Sequence, residues 1–223
     1  MNKSTKRILT DIIEYNESPI DGTHIWFDEN DISLIKILII GPKDTPYEGG
    51  FYCFRIQFPK SYPNNPPLVC FLNMHRGIRF HPNLYSNGKV CLSILGTWQG
   101  PPWTSTMTLT SLIISLKSLF DNNPIRFEPG YENINVNAII NTKYSSAVEY
   151  YNLSMAINYV LMMNPFPEFN HVIKQYLYEG SFNKLIEKFK AYDDVSFSCI
   201  YSMVVKANYQ HQAEKLEKIV MGI

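Results

Sequence analysis

Four short runs of β-forming residues follow one another closely, and the segments that join them are short and rich in turn residues. The predicted strands span residues 24–27, 32–40, 51–58 and 68–72. In the third run, apolar side chains alternate with Arg55 and Gln57, which is the period of a half-buried strand. Parallel neighbours need a crossover of about a dozen or more residues, so these runs predict an antiparallel four-stranded meander sheet.

Helical periodicity brackets the strands on both sides. Residues 4–15 and 108–120 carry apolar side chains at helical spacing, and Thr108 is suited to cap the second helix. A long helix is predicted over 141–163, followed by two or three more over 168–220. The predicted apolar face of the long helix comprises Tyr144, Val148, Tyr151, Met155, Tyr159 and Met162. This order of elements predicts an α+β fold.

Residues 74–106 separate the strands from the later helices and show almost no periodicity. They are rich in Pro, Gly, Asn and Trp, and they contain Cys91. A long irregular segment inside a compact domain is usually functional. We therefore expect the functional site in this segment.

Composition excludes several classes of function. The chain has 223 residues, 45% of them hydrophobic, and 20 basic against 20 acidic side chains. A net charge of zero gives no general attraction to nucleic acid, and no apolar run reaches the length of a membrane span, so neither partner is expected. The start lacks the apolar stretch of a signal peptide, which favours the cytoplasm or nucleus. Four cysteines without a CxxC pair predict neither a structural metal nor a disulfide scaffold, and no cofactor is expected.

One stretch carries the elements of covalent chemistry. His81, Asn83 and Cys91 lie within ten residues of one another. A cysteine thiolate is a strong nucleophile near neutral pH, and an asparagine amide suits the stabilisation of an oxyanion. A lone cysteine is nevertheless more often a small buried hydrophobe.

Motifs in order along the chain strengthen the catalytic interpretation. Residues 41–50 read GPKDTPYEGG, residues 58–67 contain FP, YP and PP at fixed spacing, and His81-Pro82-Asn83 stands eight residues before Cys91. Together with Lys6-Arg7 in the first helix, this pattern resembles the ubiquitin-conjugating (UBC) enzymes. The resemblance implies the UBC fold: an N-terminal helix, the meander, an active-site loop and further helices.

Two later stretches resemble the large branch of that family, closest to its class Z type. They are CLSILGTWQGPPW at 91–103 and FEPGYE at 127–132. That branch carries a long helical C-terminal extension, which suits the remainder of this chain. We predict a catalytic core at 1–131 and, at 132–223, helices that complete the core together with the extension.

The resemblance implies a mechanism without a cofactor. Cys91 would accept ubiquitin, or a ubiquitin-like protein, as a thioester from an activating enzyme. It would then pass the modifier to a substrate lysine or to a ligase. Asn83 would stabilise the oxyanion of transfer, directly or by holding the loop that does so, while His81, Pro82 and Trp103 would shape the site.

A carboxylate is expected to help the incoming lysine shed its proton. Many family members place an acidic residue after the second helix, and Glu128 occupies the matching position here. The frequent aspartate two residues after the cysteine is replaced by Ser93. The resemblance therefore makes Glu128 the predicted acidic gate.

Partner surfaces also follow from the resemblance. Lys6 and Arg7 match the basic face that contacts the activating enzyme. The two ligase-binding loops contain Tyr62, Asn64, Thr104 and Ser105. Polar residues replace the usual apolar anchors of RING and HECT ligases, so altered ligase binding is expected.

Two other interpretations remain beside an active conjugating enzyme. One is a catalytically weak UBC-fold module that only binds ubiquitin, although such variants lose the cysteine that is present here. The other is a cysteine hydrolase using Cys91 and His81, which would release ubiquitin without ATP.

Overall fold

The computed structural model describes residues 2–222, and the chain divides into two compact units. The first unit comprises residues 1–39, 52–74 and 83–119. The second comprises residues 40–51, 75–82 and 120–223. Each unit thus consists of three separate segments of the chain. The sequence predicts a single boundary at residue 131, and that boundary stays a prediction.

The first unit begins with helix α1, Lys3–Glu17. The side chain of Asn2 caps it by accepting a hydrogen bond from the backbone N–H of Thr5 at 2.8 Å. Its buried face includes Ile8 and Ile12, as the spacing predicts, together with Tyr15, whereas Ile13, which the same spacing assigns to the apolar face, is exposed. The sequence also offers Ser4 or Thr5 as the cap, but the helix begins before them because Asn2 provides a side-chain oxygen earlier in the chain.

The predicted meander is confirmed. Its strands are β1 Thr23–Asp28, β2 Asp31–Ile40, β3 Phe51–Gln57 and β4 Leu68–Phe71. They lie in the order β1-β2-β3-β4, with β1 antiparallel to β2 and β3 antiparallel to β4. Phe54 pairs with Phe71, and both side chains are almost completely buried. The sheet is followed by helix α2, Leu109–Lys117, which Thr108 caps through the backbone N–H of Ser111.

The second unit contains a long helix with an internal change of geometry. Helix α3, Ile139–Tyr151, continues as a π-helix over Asn152–Tyr159 and ends as helix α4, Val160–Met163. The apolar face predicted for this helix is wrong in its second half, where Tyr159 and Met162 are exposed. A π-helix bonds residues five apart and so rotates the following side chains away from α-helical positions.

The C-terminal part of this unit contains three helices and one hairpin. The helices are α5 Asn170–Tyr178, α6 Asn183–Lys190 and α7 Tyr209–Met221. Strands β5, Val195–Ser198, and β6, Val204–Ala207, pair antiparallel between α6 and α7. The three helices agree with the two or three predicted for 168–220, but the hairpin was not predicted, although β6 alternates buried Val205 and Ala207 with exposed residues at the strand period.

Within residues 2–222, no helix is both long enough and apolar enough to cross a membrane. In the same residues, no group of three or more His, Cys, Asp or Glu side chains is placed to hold a metal ion.

Candidate active site

Asn83 and Cys91 face each other across a short hairpin in the first unit. The side-chain Nδ2 of Asn83 donates to the carbonyl of Cys91 at 2.7 Å, and the N–H of Cys91 donates to the carbonyl of Asn83 at 2.9 Å. Leu84 and Val90 form an isolated antiparallel bridge inside this pair. Asn83 and Cys91 are 4% and 1% exposed. The predicted nucleophile is therefore almost completely buried, and two hydrogen bonds join it to Asn83.

The tip of this hairpin lies tightly against strand β4. Gly88 has a φ of 88°, and its carbonyl accepts a hydrogen bond from the N–H of Phe71 at 2.9 Å. A Cβ atom at Gly88 would stand 2.8 Å from the Sγ of Cys70 and 3.0 Å from the carbonyl oxygen of Phe71. Only glycine combines this dihedral with so close an approach, which anchors the hairpin to the sheet.

The segment after Cys91 is tied back by one hydroxyl group. Thr97 Oγ1 donates to the carbonyl of Val90 at 2.8 Å and accepts from the N–H of Leu92 at 3.0 Å. A single 3₁₀ turn, Ser93–Leu95, lies between them. Ser93 is half-buried, and a Cβ atom at Gly100 would approach its Cβ to 2.9 Å. Ser93 therefore takes a packing position in this loop.

Trp103 and Tyr62 pack beside each other in the first unit. The indole N–H of Trp103 donates to the carbonyl of Pro63 at 2.7 Å, and its ring centroid lies 5.9 Å from that of Tyr62. The Tyr62 hydroxyl donates to the carboxylate of Asp11. Burial, and next that hydrogen bond, raise the pKa of the Tyr62 phenol well above its ordinary value. Tyr62 is thus a structural anchor of its loop, whereas Asn64 in the same loop is exposed.

Asp11 organises the region around the first helix, and sequence reasoning missed it. Its side chain is 1% exposed and bonds Arg7 Nε at 2.7 Å and the N–H of Leu109 at 3.2 Å. Arg7 also donates to the carbonyls of Ser105 and Met107 at 3.0 and 2.6 Å. The available signal was a carboxylate on the apolar face of a helix, one residue before Ile12.

The residues predicted to contact partner proteins differ in their exposure and in their hydrogen bonds within the chain. Lys6, Thr104 and Ser105 are exposed. The guanidinium of Arg7, by contrast, joins the first helix to the backbone of the segment that contains Thr104 and Ser105. Lys6 is the more accessible of the two predicted basic contacts.

His81 and Pro82 belong to the second unit. His81 is fully buried, with its ring edge against Phe127 at a centroid distance of 4.8 Å. Burial, and next the positive charges of Arg79 and Arg126, lower the pKa of His81 to about 3, so the imidazole is neutral at neutral pH. The carbonyl of Pro82 accepts a hydrogen bond from Arg79 Nη2 at 2.5 Å. The surroundings of His81 are those of a packed core residue.

Glu128 lies in the second unit, directly after the 3₁₀ turn Pro124–Phe127. Its N–H donates to the carbonyl of Ile125 at 2.9 Å, and its side chain is partly exposed. The hydroxyl of Tyr201, from the loop between β5 and β6, donates to Glu128 Oε2. Sequence reasoning missed Tyr201, because it lies 73 residues further along the chain in a hairpin that was not predicted.

Comparison with known proteins adds the family. The profile of the family described as Ubiquitin-conjugating enzyme matches residues 7–157. Ubiquitin-conjugating enzyme E2 Z of Danio rerio is 47% identical over 127 residues, which cover 56% of this chain and 39% of that protein. Probable ubiquitin-conjugating enzyme protein 17 of Caenorhabditis elegans is 38% identical over 186 residues, covering 78% of this chain and 25% of that protein.

A solved structure, that of human Ubiquitin-conjugating enzyme E2 G1, aligns with a TM-score of 0.47 and 34% identity, covering 53% of this chain and 94% of that one. The chain spans well under half the length of the curated relatives it matches. About two thirds of its residues nevertheless lie inside the family profile, and its similarity to the E2 Z enzymes agrees with the class Z type. This chain belongs to the ubiquitin-conjugating enzyme family, in its Z-type branch.

Proposed function

We propose that this protein is an active ubiquitin-conjugating enzyme whose nucleophile is Cys91. It accepts the C-terminus of ubiquitin, or of a ubiquitin-like protein, from an activating enzyme and passes it to a lysine or to a ligase. The observation that carries this proposal is the pair of hydrogen bonds that locks Asn83 to Cys91 inside the segment matched by the family.

The proposed reaction has two steps. The Cys91 thiolate attacks the thioester carbonyl carbon held by the activating enzyme, a new C–S bond forms, and the activating enzyme's thiolate leaves. An amine then attacks the same carbon, the C–N bond forms, and Cys91 leaves as a thiolate. The proton of the amine passes to a base and then to water. Both steps pass through a tetrahedral oxyanion that needs hydrogen-bond donors.

Asn83 is suited to organise these donors. Its side-chain amide donates to the carbonyl of Cys91 itself, so it holds the backbone of the nucleophile in place. This arrangement favours a role in fixing the loop whose donors meet the oxyanion. Replacing Asn83 with Ala is expected to slow transfer about 100-fold or more, because the loop donors that Asn83 holds would no longer be preorganised for the oxyanion.

The proposed partners follow the family. Lys6 is exposed and suits the acidic surface of an activating enzyme better than Arg7, which already bonds Asp11 and two backbone carbonyls. In the ligase-binding loops, Asn64 and Thr104 are exposed and polar. Ligases that bind an apolar side chain in these loops should bind weakly, so a ligase that makes polar contacts fits better. The cytoplasm or the nucleus is the proposed place of action.

Thioester formation tests the proposal. The protein is mixed with activating enzyme, ATP and ubiquitin, and the products are separated without reductant. A band heavier by one ubiquitin, which thiol reductant removes, is expected for the native chain and for a Cys199→Ser control. Cys199 is also a free, partly buried thiol, and its burial raises its pKa to about 11, so it should not be charged.

The Cys91→Ser variant should lose the reductant-sensitive band. If the native chain fails to charge with ubiquitin, and with each ubiquitin-like protein and its own activating enzyme, the proposal is refuted and a binding module remains. Release of free ubiquitin from conjugates without ATP would instead indicate a hydrolase.

A further inference from the structure

The β5–β6 hairpin of the second unit has one open edge. Its two strands form a sheet of their own, and within residues 2–222 no third strand lies beside β5. The outer edge of β6 is protected, because the hydroxyl of Tyr151 donates to the carbonyl of Val204 at 3.1 Å and exposed Lys206 adds a charge to that strand. Strand β5 reads Val-Ser-Phe-Ser and contains neither a charged residue nor a proline. Edge strands without such protection are templates for pairing with another strand.

The register of the hairpin shows which backbone groups of β5 face the open edge. The N–H of Cys199 donates to the carbonyl of Met203 at 3.0 Å, so these two residues form a hydrogen-bonded pair. Such pairs alternate with non-hydrogen-bonded pairs along an antiparallel ladder. Counted back in the observed register, Ser196 and Ser198 are the β5 residues whose N–H and C=O groups point away from β6. Both serines are exposed.

A cleft of about 710 Å³ opens beside β5, and the rings of Phe197, Tyr192 and Tyr209 line it. Phe197 pairs with fully buried Val205 and therefore faces the same side of the sheet, yet it is only partly buried. Its neighbour on that face, Val195, is 42% exposed. The inner face of the hairpin is thus covered at β6 and incompletely covered at β5.

The cleft carries opposite charges toward the two ends of β5. Asp193 lines it just before the strand begins, and Lys143 of α3 lines it as well. Lys143 lies toward the other end of the strand: burial raises the pKa of the Cys199 thiol, and the positive charge of Lys143 partly offsets that rise. Both charged side chains are exposed. A second β5 strand, running antiparallel to the first, would bring each charge toward its opposite.

We propose that two copies of this chain pair through β5, as antiparallel strands related by a two-fold axis at Phe197. A two-fold interface uses one self-complementary surface in both copies. In this register Ser196 of each copy exchanges two hydrogen bonds with Ser198 of the second copy. The two Phe197 rings meet at the axis on the cleft side, where cross-strand aromatic pairs are favourable. Asp193 of each copy then approaches Lys143 of the other.

The number of copies per particle tests the proposal. The full chain is sedimented with thiol reductant present, from about 1 to about 200 μM, because a small interface predicts a weak, concentration-dependent dimer. The native chain should change from one copy to two over this range. Ser196→Pro removes an N–H that faces the open edge and that β6 does not use, so the hairpin is retained. It should weaken dimerisation about 10-fold or more, because two hydrogen bonds across the axis are lost. Ser196→Ala keeps the N–H and should pair like the native chain.

Charge reversal provides a readout that general damage to the fold would not reproduce. Asp193→Lys and Lys143→Asp should each weaken self-association about 10-fold, because each brings like charges together twice across the axis. A mixture of the two variants should form dimers again, since both contacts across the axis then join opposite charges. The matched control is Lys174→Asp on α5, an exposed position outside the cleft, which should dimerise like the native chain.

The outcomes decide the inference independently of the proposed function. A native chain that stays monomeric over the whole range would overturn it, as would a dimer that Ser196→Pro leaves intact, because that dimer uses another surface. Single reversals that pair normally, or a mixture that stays monomeric although melting curves show both variants folded, would overturn it too. Thioester formation on Cys91 should be unchanged in all these variants, so a failure of either proposal leaves the other standing.

Discussion

The buried imidazole of His81 should make the protein sensitive to mild acid. Its pKa in the folded chain is lowered from 6.5 to about 3, chiefly by burial. Below pH 6.5 the unfolded chain therefore binds a proton at this imidazole, whereas the folded chain does not. The contribution of neutral His81 to the free energy of unfolding is fully present above pH 6.5 and is lost as the pH falls toward 3.

The size of this effect follows from the two pKa values. Between pH 7 and pH 5 the unfolded imidazole becomes almost fully protonated while the folded one stays neutral, which lowers the free energy of unfolding by about 2 kcal/mol. The whole window down to pH 3 corresponds to about 5 kcal/mol. In urea, the loss between pH 7 and 5 should move the unfolding midpoint by about 0.8 M for a chain of this size.

The assay compares native protein with His81→Gln, which cannot take up a proton in this range. The variant will be less stable at pH 7, but its free energy of unfolding should fall by about 2 kcal/mol less between pH 7 and 5. Half-buried His75, whose pKa is also lowered by burial, is present in both proteins and cancels. His171→Gln, at an exposed position, is the matched control for the substitution itself and should change the free energy of unfolding at pH 7 by less than about 0.5 kcal/mol. Equal pH dependence in native protein and His81→Gln would refute the reasoning.

Three further predictions concern the frame of the site and are checked by urea unfolding. Asp11→Ala should lower the free energy of unfolding by about 3 kcal/mol, because the half-buried guanidinium of Arg7 and the Tyr62 hydroxyl lose their shared acceptor. A loss below about 1 kcal/mol would contradict that role. Gly88→Ala should cost about 2 kcal/mol, since its new Cβ would press on Cys70 at a positive φ; an unchanged midpoint would mean that the hairpin shifts freely. Thr97→Val keeps the side-chain shape and should lower the free energy of unfolding by about 1 kcal/mol, because its hydrogen bonds are lost. The control is Thr10→Val on the exposed face of α1, which should change the free energy of unfolding less.

Local signals explain why the first half of the fold could be predicted from the sequence. The alternation around Arg55 and the turn residues between strands act over a few positions, and the meander follows from them. The N-cap of α2 at Thr108 is equally local. A contact between Asn83 and Cys91 is similarly local, because only eight residues separate them.

Long-range contacts explain what the sequence could not provide. The bond from Tyr201 to Glu128 depends on a hairpin whose loop residues are neither glycine nor asparagine, although they adopt positive φ. Asp11 resembles a surface residue until its three donors are known, two of which come from distant segments. Such positions are decided by the assembled fold, and a sequence pattern does not contain them.

The π-helix at Asn152–Tyr159 has a consequence for how this chain can change in evolution. Two buried amides depend on its wider turns: Asn152 donates to the carbonyl of Glu48 at 2.9 Å, and Asn158 donates to that of Gln212 at 2.9 Å. Deleting one residue from an α-helix rotates everything beyond it by about 100°. A single deletion inside this π-helical segment can instead be absorbed by a return to α-helical turns, so that the residues of α4 keep nearly the same face. The segment is therefore a stretch of the helix where a change of length should be tolerated, at the cost of the hydrogen bond of Asn152 or Asn158.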